Sequence, residues 1–208
     1  MAVTRLQYIP NLLNNLNSPV PGAFVEPITG LQIPGSGLVV GDTMSLTYFE
    51  ATQLATQPGT ISPFPLYEGD YQFVHLHSAA TASLCQRGNV AYFRALAPPM
   101  SGGNMGTLPI AGNWEVTDGS HALNANLVTG IFLNAITPGN FGFIQTGGRA
   151  SVLMAGAGTV GQAVNATAAT GNGTPGATAG PALLGYLLNA ATTGAIAQVK
   201  LQLISAQQ

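Results

Sequence analysis

The chain has 208 residues, of which only 12 are Asp, Glu, Lys or Arg, while 46% are hydrophobic. That is about a quarter of the charge usual in soluble domains, and the pairing of low charge with high apolar content excludes intrinsic disorder. The net charge is −2 and the bases Arg5, Arg87, Arg94, Arg149 and Lys200 are scattered, so no nucleic-acid partner is expected.

No apolar run approaches the ~20 residues that span a bilayer, so no membrane partner is expected either. The start, MAVTRLQYIPNLLNNLN, is interrupted by Pro10 and several Asn where a signal peptide would carry its apolar core, which predicts use without secretion. Cys85 is the single cysteine; intrachain disulfides are impossible and a reducing compartment fits. A surface so poor in charge is expected to lie against other protein, because charge depletion marks interface cores.

Residues 1–41 read as an extended N-terminal arm. Pro10, Pro19, Pro21, Pro27 and Pro34, with Gly22, Gly30, Gly35 and Gly37, suppress regular structure. The arm still carries Leu6, Leu12, Leu13, Leu16, Phe24 and Ile28, more apolar surface than a solvated linker needs, and is expected to order on a neighbour's surface. Packing on its own domain is the alternative. Within the arm only Asn11–Leu16 looks helical.

From residue 42 to 208 the pattern is that of a β domain. Strands are predicted at Thr43–Glu50, Tyr71–Leu76, Asn89–Ala95, Trp114–Thr117 and Ala150–Met154, and part of Ala51–Ala55 looks helical. Pro98–Asn104 reads as a loop. The charge-free stretch 156–180 reads as a Gly/Ala/Thr-rich mobile loop with one strand at Gln162–Asn165. Between these lies a repeat: residues 130–145 (GIFLNAITPGNFGFIQ) return as residues 185–200 (GYLLNAATTGAIAQVK), with six of sixteen positions identical. Each copy predicts a hairpin turning at Pro138-Gly139 or Thr193-Gly194, where glycine supplies a positive φ. The fold class expected is all-β, a compact barrel or sandwich of short antiparallel strands.

Several patterns mimic chemical sites. Gly156-Ala-Gly158-Thr-Val-Gly161 matches a dinucleotide fingerprint, but a poor helix former follows and no acid occurs after Asp118. His75 and His77 share a strand face at a metal-compatible spacing, with a third ligand only by assumption from Glu68, Asp70 or His121. A polar strand face or histidines at a subunit contact explain them more simply. Glu68 with Asp70, and Glu115 with Asp118, could be glycosidase pairs, yet each borders a turn where acids serve locally.

No G-x-S-x-G elbow accompanies the serines, and Cys85 has no evident activating partner. The aromatics Phe64, Tyr67, Tyr71, Phe73, Tyr92 and Phe93 suit a core, with a sugar-binding platform as the lesser alternative. No catalytic, cofactor-binding or metal residue is assigned, no cofactor is expected, and the chain is expected not to be an enzyme.

LYEGDYQFVHLHSAATAS and GNVAYF, followed by GIFLNAITPGNFGFIQTGGRASVLM, resemble the small head proteins of tailed bacteriophages, the capsid decoration or cement proteins. The resemblance covers residues 66–154 and, more loosely, 185–203. It implies a virion protein on the outer face of an icosahedral shell, assembled in the host cytoplasm, with the major capsid protein as partner. It also implies a homo-oligomer, with a trimer favoured and a dimer possible. The long arm and the 156–180 stretch depart from the shortest members of that class. A phage tail, fibre or baseplate component is the alternative, and a carbohydrate-binding module or a small metalloenzyme lies further off.

Overall fold

Ten strands form two sets of five, and the second set repeats the first in order, pairing and register. In this computed structural model the described residues are 17, 24–25, 32–33, 40–41, 43–56, 66–94, 115–122 and 127–203. Asn11–Leu16, Pro98–Asn104, Phe64 and most of the 1–41 arm lie outside them.

Strands β1 (Phe24–Val25) and β2 (Gln32–Ile33) form a small antiparallel pair inside the arm, where no strand was expected. β3 (Thr43–Leu46) is shorter than the predicted 43–50 strand, because helix α1 (Tyr48–Thr56) starts behind it. Thr47 and Glu50 form a capping box: the Glu50 carboxylate accepts from the Thr47 amide at 2.8 Å, and the Thr47 hydroxyl accepts from the Glu50 amide at 3.3 Å.

The first set is β4 (Gly69–Leu76), β5 (Val90–Phe93), β6 (Glu115–Thr117), β7 (Val128–Phe132) and β8 (Phe141–Gln145). β4 pairs with β8 and, in parallel, with β6; β6 pairs with β5, β5 with β7, and β7 with β8. The ring is closed, a five-stranded barrel, and β3 adds to the first half of β4. Each strand sends at least one side chain into a common cluster: Val74 and Leu76, Ala91, Val116, Phe132 and Ile144. Their strand neighbours Tyr71, Phe73 and Phe143 belong to a second cluster, with Val40, Met44, Leu46 and Leu66. β4 and β8 are therefore buried on both faces.

The second set is β9 (Arg149–Leu153), β10 (Ala163–Thr167), β11 (Asn172–Gly176), β12 (Leu183–Leu187) and β13 (Ile196–Leu201). β9 meets β13 in five rungs from Ile196↔Leu153 to Lys200↔Arg149, as β4 meets β8 from His75↔Phe141 to Tyr71↔Gln145. Ile131↔Gln145 and Phe132↔Ile144 recur as Tyr186↔Lys200 and Leu187↔Val199. The irregularity at Ala91/Tyr92 opposite β7 recurs at Val164/Asn165 opposite β12. Even the parallel closure is repeated, Leu76↔Val116 becoming the single bridge Met154↔Gly173. The chain from residue 69 to 201 is thus a tandem duplication of one barrel.

The supposed mobile loop at 156–180 contains the β10–β11 hairpin. Small residues belong there for a packing reason. A Cβ on Gly173 would lie 2.8 Å from both the Val152 and Val164 Cγ1 atoms, at the interior position that Val116 fills in the first barrel. One apolar cluster runs through the second barrel and takes in Val90, Tyr92, Val128 and Ile131 of the first. Asn89, nearly buried, reinforces this junction by donating to the Gly171 carbonyl at 3.2 Å and to the Asn172 side chain at 2.9 Å. No described helix is long and apolar enough to cross a membrane.

Candidate functional site

The chemical candidates are dispersed by the fold. His75 lies in β4 with Nε2 donating to the Gly139 carbonyl at 3.2 Å and Nδ1 3.4 Å from the Glu115 carboxylate. His77 lies one residue past that strand, where its Nδ1 accepts from the Ala79 amide at 3.3 Å. Among the described residues no group of three or more His, Cys, Asp or Glu could hold a metal. The acid pairs also part company. Glu68 faces Arg149 at 3.4 Å, while Asp70 accepts from the Ser45 hydroxyl at 2.6 Å. The glycine fingerprint leads into β10, not a helix, and Gly161 donates to the Leu187 carbonyl at 2.9 Å, so no helix N-terminus is present to receive a phosphate.

Burial settles other candidates. Cys85 is buried and its thiol is pushed up to about 12, by loss of solvent and then by the Asp118 charge, so it is not a poised thiolate. Tyr71, Phe73 and Tyr92 have no exposed surface and cannot form a sugar platform. Burial alone pushes the Tyr92 hydroxyl up to about 12. Tyr67 remains half-buried between the barrels, accepting from Gln198 at 2.9 Å under the Arg149 guanidinium, 5.3 Å from its ring centre.

Asp118 is a structural carboxylate that the sequence did not single out as such. Its side chain is fully buried at the end of β6 and accepts from the Thr81 amide at 2.6 Å, the Ser120 amide at 2.7 Å, the Ser120 hydroxyl and His121 Nδ1 at 3.0 Å. Loss of solvent favours the neutral acid, but the hydrogen bonds from Ser120, Thr81 and His121 together outweigh it, and the carboxyl is held below its usual range. A depressed folded value stabilises the protein above the unfolded carboxyl pKa of about 4, and that contribution is lost as pH falls through the folded value. Asp118→Asn is expected to cost about 2 kcal/mol at pH 7 in urea unfolding, and to flatten the loss of stability between neutral and acid pH.

What the fold presents outward is a pair of equivalent loops. In the first, residues 137–140 make a turn in which the Asn140 amide donates to the Thr137 carbonyl at 2.9 Å, with Gly139 at φ 87°. In the second, the Ala195 amide donates to the Thr192 carbonyl at 3.2 Å, with Gly194 at φ 76°. Each turn is fastened to the neighbouring strand in the same way: Gly139 donates to Leu76 at 2.9 Å and Gly194 to Met154 at 2.8 Å.

The first loop is occupied by the arm. Asn17 Oδ1 accepts from the Thr137 amide at 3.0 Å and the Asn140 side chain at 2.8 Å, while its Nδ2 donates to the Thr137 hydroxyl at 3.1 Å. The corresponding Thr192 is exposed, and its amide and hydroxyl have no hydrogen-bond partner among the described residues. Beside it Leu188 and Ile196 are each 42% exposed, whereas their counterparts Leu133 and Phe141 pack against the Val40–Met44–Leu46 cluster.

No protein-family model matches the chain, and no curated protein is significantly similar to it. Among solved structures it is similar to the N base of the head fiber gp8.5 in bacteriophage phi29, with a TM-score of 0.37 and 17% identity over 66% of this chain and 98% of that one. A likeness of that extent assigns no function, which rests instead on the chain's own surface.

Proposed function

We propose that this chain is a non-enzymatic structural protein of a phage virion. In this reading it binds as a homo-oligomer to the outer face of the capsid and stabilises the shell by bridging units of major capsid protein. The carrying observation is the tandem barrel itself: two rigid, charge-poor units offering the same loop twice, one of them already gripped by the N-terminal arm. Bridging a shell needs wide contact area and repeated weak contacts, which avidity multiplies over a lattice. The resemblance of residues 66–154 to phage head proteins supports the same reading.

The test is sedimentation of the purified protein with empty heads. The full chain is expected to pellet with them, and deletion of residues 1–30 to reduce its retention sharply. Unchanged retention after deletion would remove the arm from the mechanism. Binding to purified tails in place of heads would replace the capsid role with the tail or fibre one.

A further inference from the structure

The two equivalent loops differ in one respect that bears on assembly: the first holds an asparagine of the arm and the second does not. The second keeps the features that grip the amide in the first. Thr192 stands where Thr137 stands, in a turn of the same hydrogen bonding, with an exposed amide and hydroxyl; only the Asn140 side chain is replaced, by Ala195. Around it the apolar counterparts are uncovered, as Leu188 and Ile196 show, and Tyr186 of β12, two residues before Leu188, is 37% exposed.

The chain carries a segment suited to this surface. Residues 11–17 read Asn-Leu-Leu-Asn-Asn-Leu-Asn, alternating amides that can repeat the Asn17 contact with leucines that can cover apolar neighbours. Asn17 uses the first loop, which leaves Asn11, Asn14 and Asn15 as further amides of the same kind in the same segment.

We propose that residues 190–195 of the second barrel, with Leu188 and Ile196, bind segment 11–17 of a second copy of this chain. One of the asparagines of that segment grips Thr192 through its amide and hydroxyl, and its leucines lie over Leu188 and Ile196. The contact is heterologous, arm to second barrel, so it closes into a ring or continues along a lattice according to the rotation between copies. It deepens the homo-oligomer part of the function proposed above and rests on that part alone; no capsid enters the contact.

The test is sedimentation velocity of the purified full chain without capsids, using two variants. One carries Leu188→Glu and Ile196→Glu, which alter exposed positions of the second barrel; the other carries Leu12→Glu, Leu13→Glu and Leu16→Glu in the arm. Circular dichroism melts establish that both fold. The natural chain is expected to self-associate with rising concentration, and each variant alone to associate about tenfold more weakly or less still.

Mixing the two variants is expected to restore association as a one-to-one complex, because each supplies the half the other lacks. A natural chain that stays monomeric, variants that associate undiminished, or a mixture that fails to complement would each overturn the proposal. None of these outcomes would by itself prevent a monomer from binding capsids, so the virion reading is tested separately.

Discussion

Gly185→Ala is expected to cost about 4 kcal/mol, and distinctly more than Gly130→Ala at the equivalent position. Both glycines face the backbone of the returning strand at the irregularity opposite β10 or β5. A Cβ at Gly185 would stand 1.9 Å from the Lys200 carbonyl oxygen, and at Gly130 2.7 Å from that of Gln145. Neither obstacle is a flexible side-chain end, so relief requires β12 and β13 to move apart for Gly185, and β7 and β8 for Gly130. Gly185 also has a φ of 152°, which side chains rarely adopt. Overpacking contributes about 1–3 kcal/mol and the backbone conformation a similar amount; Gly130 carries only the first. Urea midpoints of the two variants beside the natural protein check the order, and equal losses would contradict the closer approach and positive φ assigned to Gly185.

Phe132→Ala is expected to cost about 3–5 kcal/mol and to shift one unfolding transition, not to melt one barrel ahead of the other. The ring is 1% exposed and lies inside the first barrel, where Leu187 lies in the second. Its strand neighbour Ile131 belongs to the cluster that runs through the second barrel. Loss of order in β7 therefore uncovers both barrels together. Circular dichroism and tryptophan fluorescence followed through urea should report coincident curves. Two separated transitions would show that the barrels are independent units.

The fold class was legible in the sequence, and so was the last hairpin of each barrel, for a reason that the structure makes plain. Gly130 and Gly185 are fixed by close backbone approach, Gly139 and Gly194 by positive φ, and Thr137 and Thr192 by their place in the turn. Those are demands on particular residue types, so they survive as identities. The remaining strands must only be apolar on the inward side. Leu76 and Met154, Ala91 and Val164, and Val116 and Gly173 occupy equivalent positions without resembling one another. Repetition held by backbone register alone leaves no pattern in the letters, which is why 156–180 read as a loop and β4–β6 hid their counterparts.

The misplaced sites have equally local causes. Thr47-x-x-Glu50 carried a helix start inside what reads as a strand pattern. Spacing put His75 and His77 on one face, but β4 ends at Leu76 and the second imidazole leaves the strand. Asp118 looked like half of a carboxylate pair. Its partners Thr81, Ser120 and His121 come partly from a distant segment, a convergence that spacing along the chain does not reveal. The Asn17 contact with Thr137 spans 120 positions and was equally hidden; the arm was expected on a neighbour's surface, whereas Asn17 is seated on its own domain.

The most direct measurement of the central claim is the protein's copy number in purified, salt-washed icosahedral particles, taken by quantitative mass spectrometry against the major shell protein. A structural protein bridging capsid units is predicted to stay with the heads at a fixed ratio matching a repeated position of the shell, and to remain after tails are removed. Its absence from heads, or a ratio that varies freely from one preparation to the next, would contradict the account.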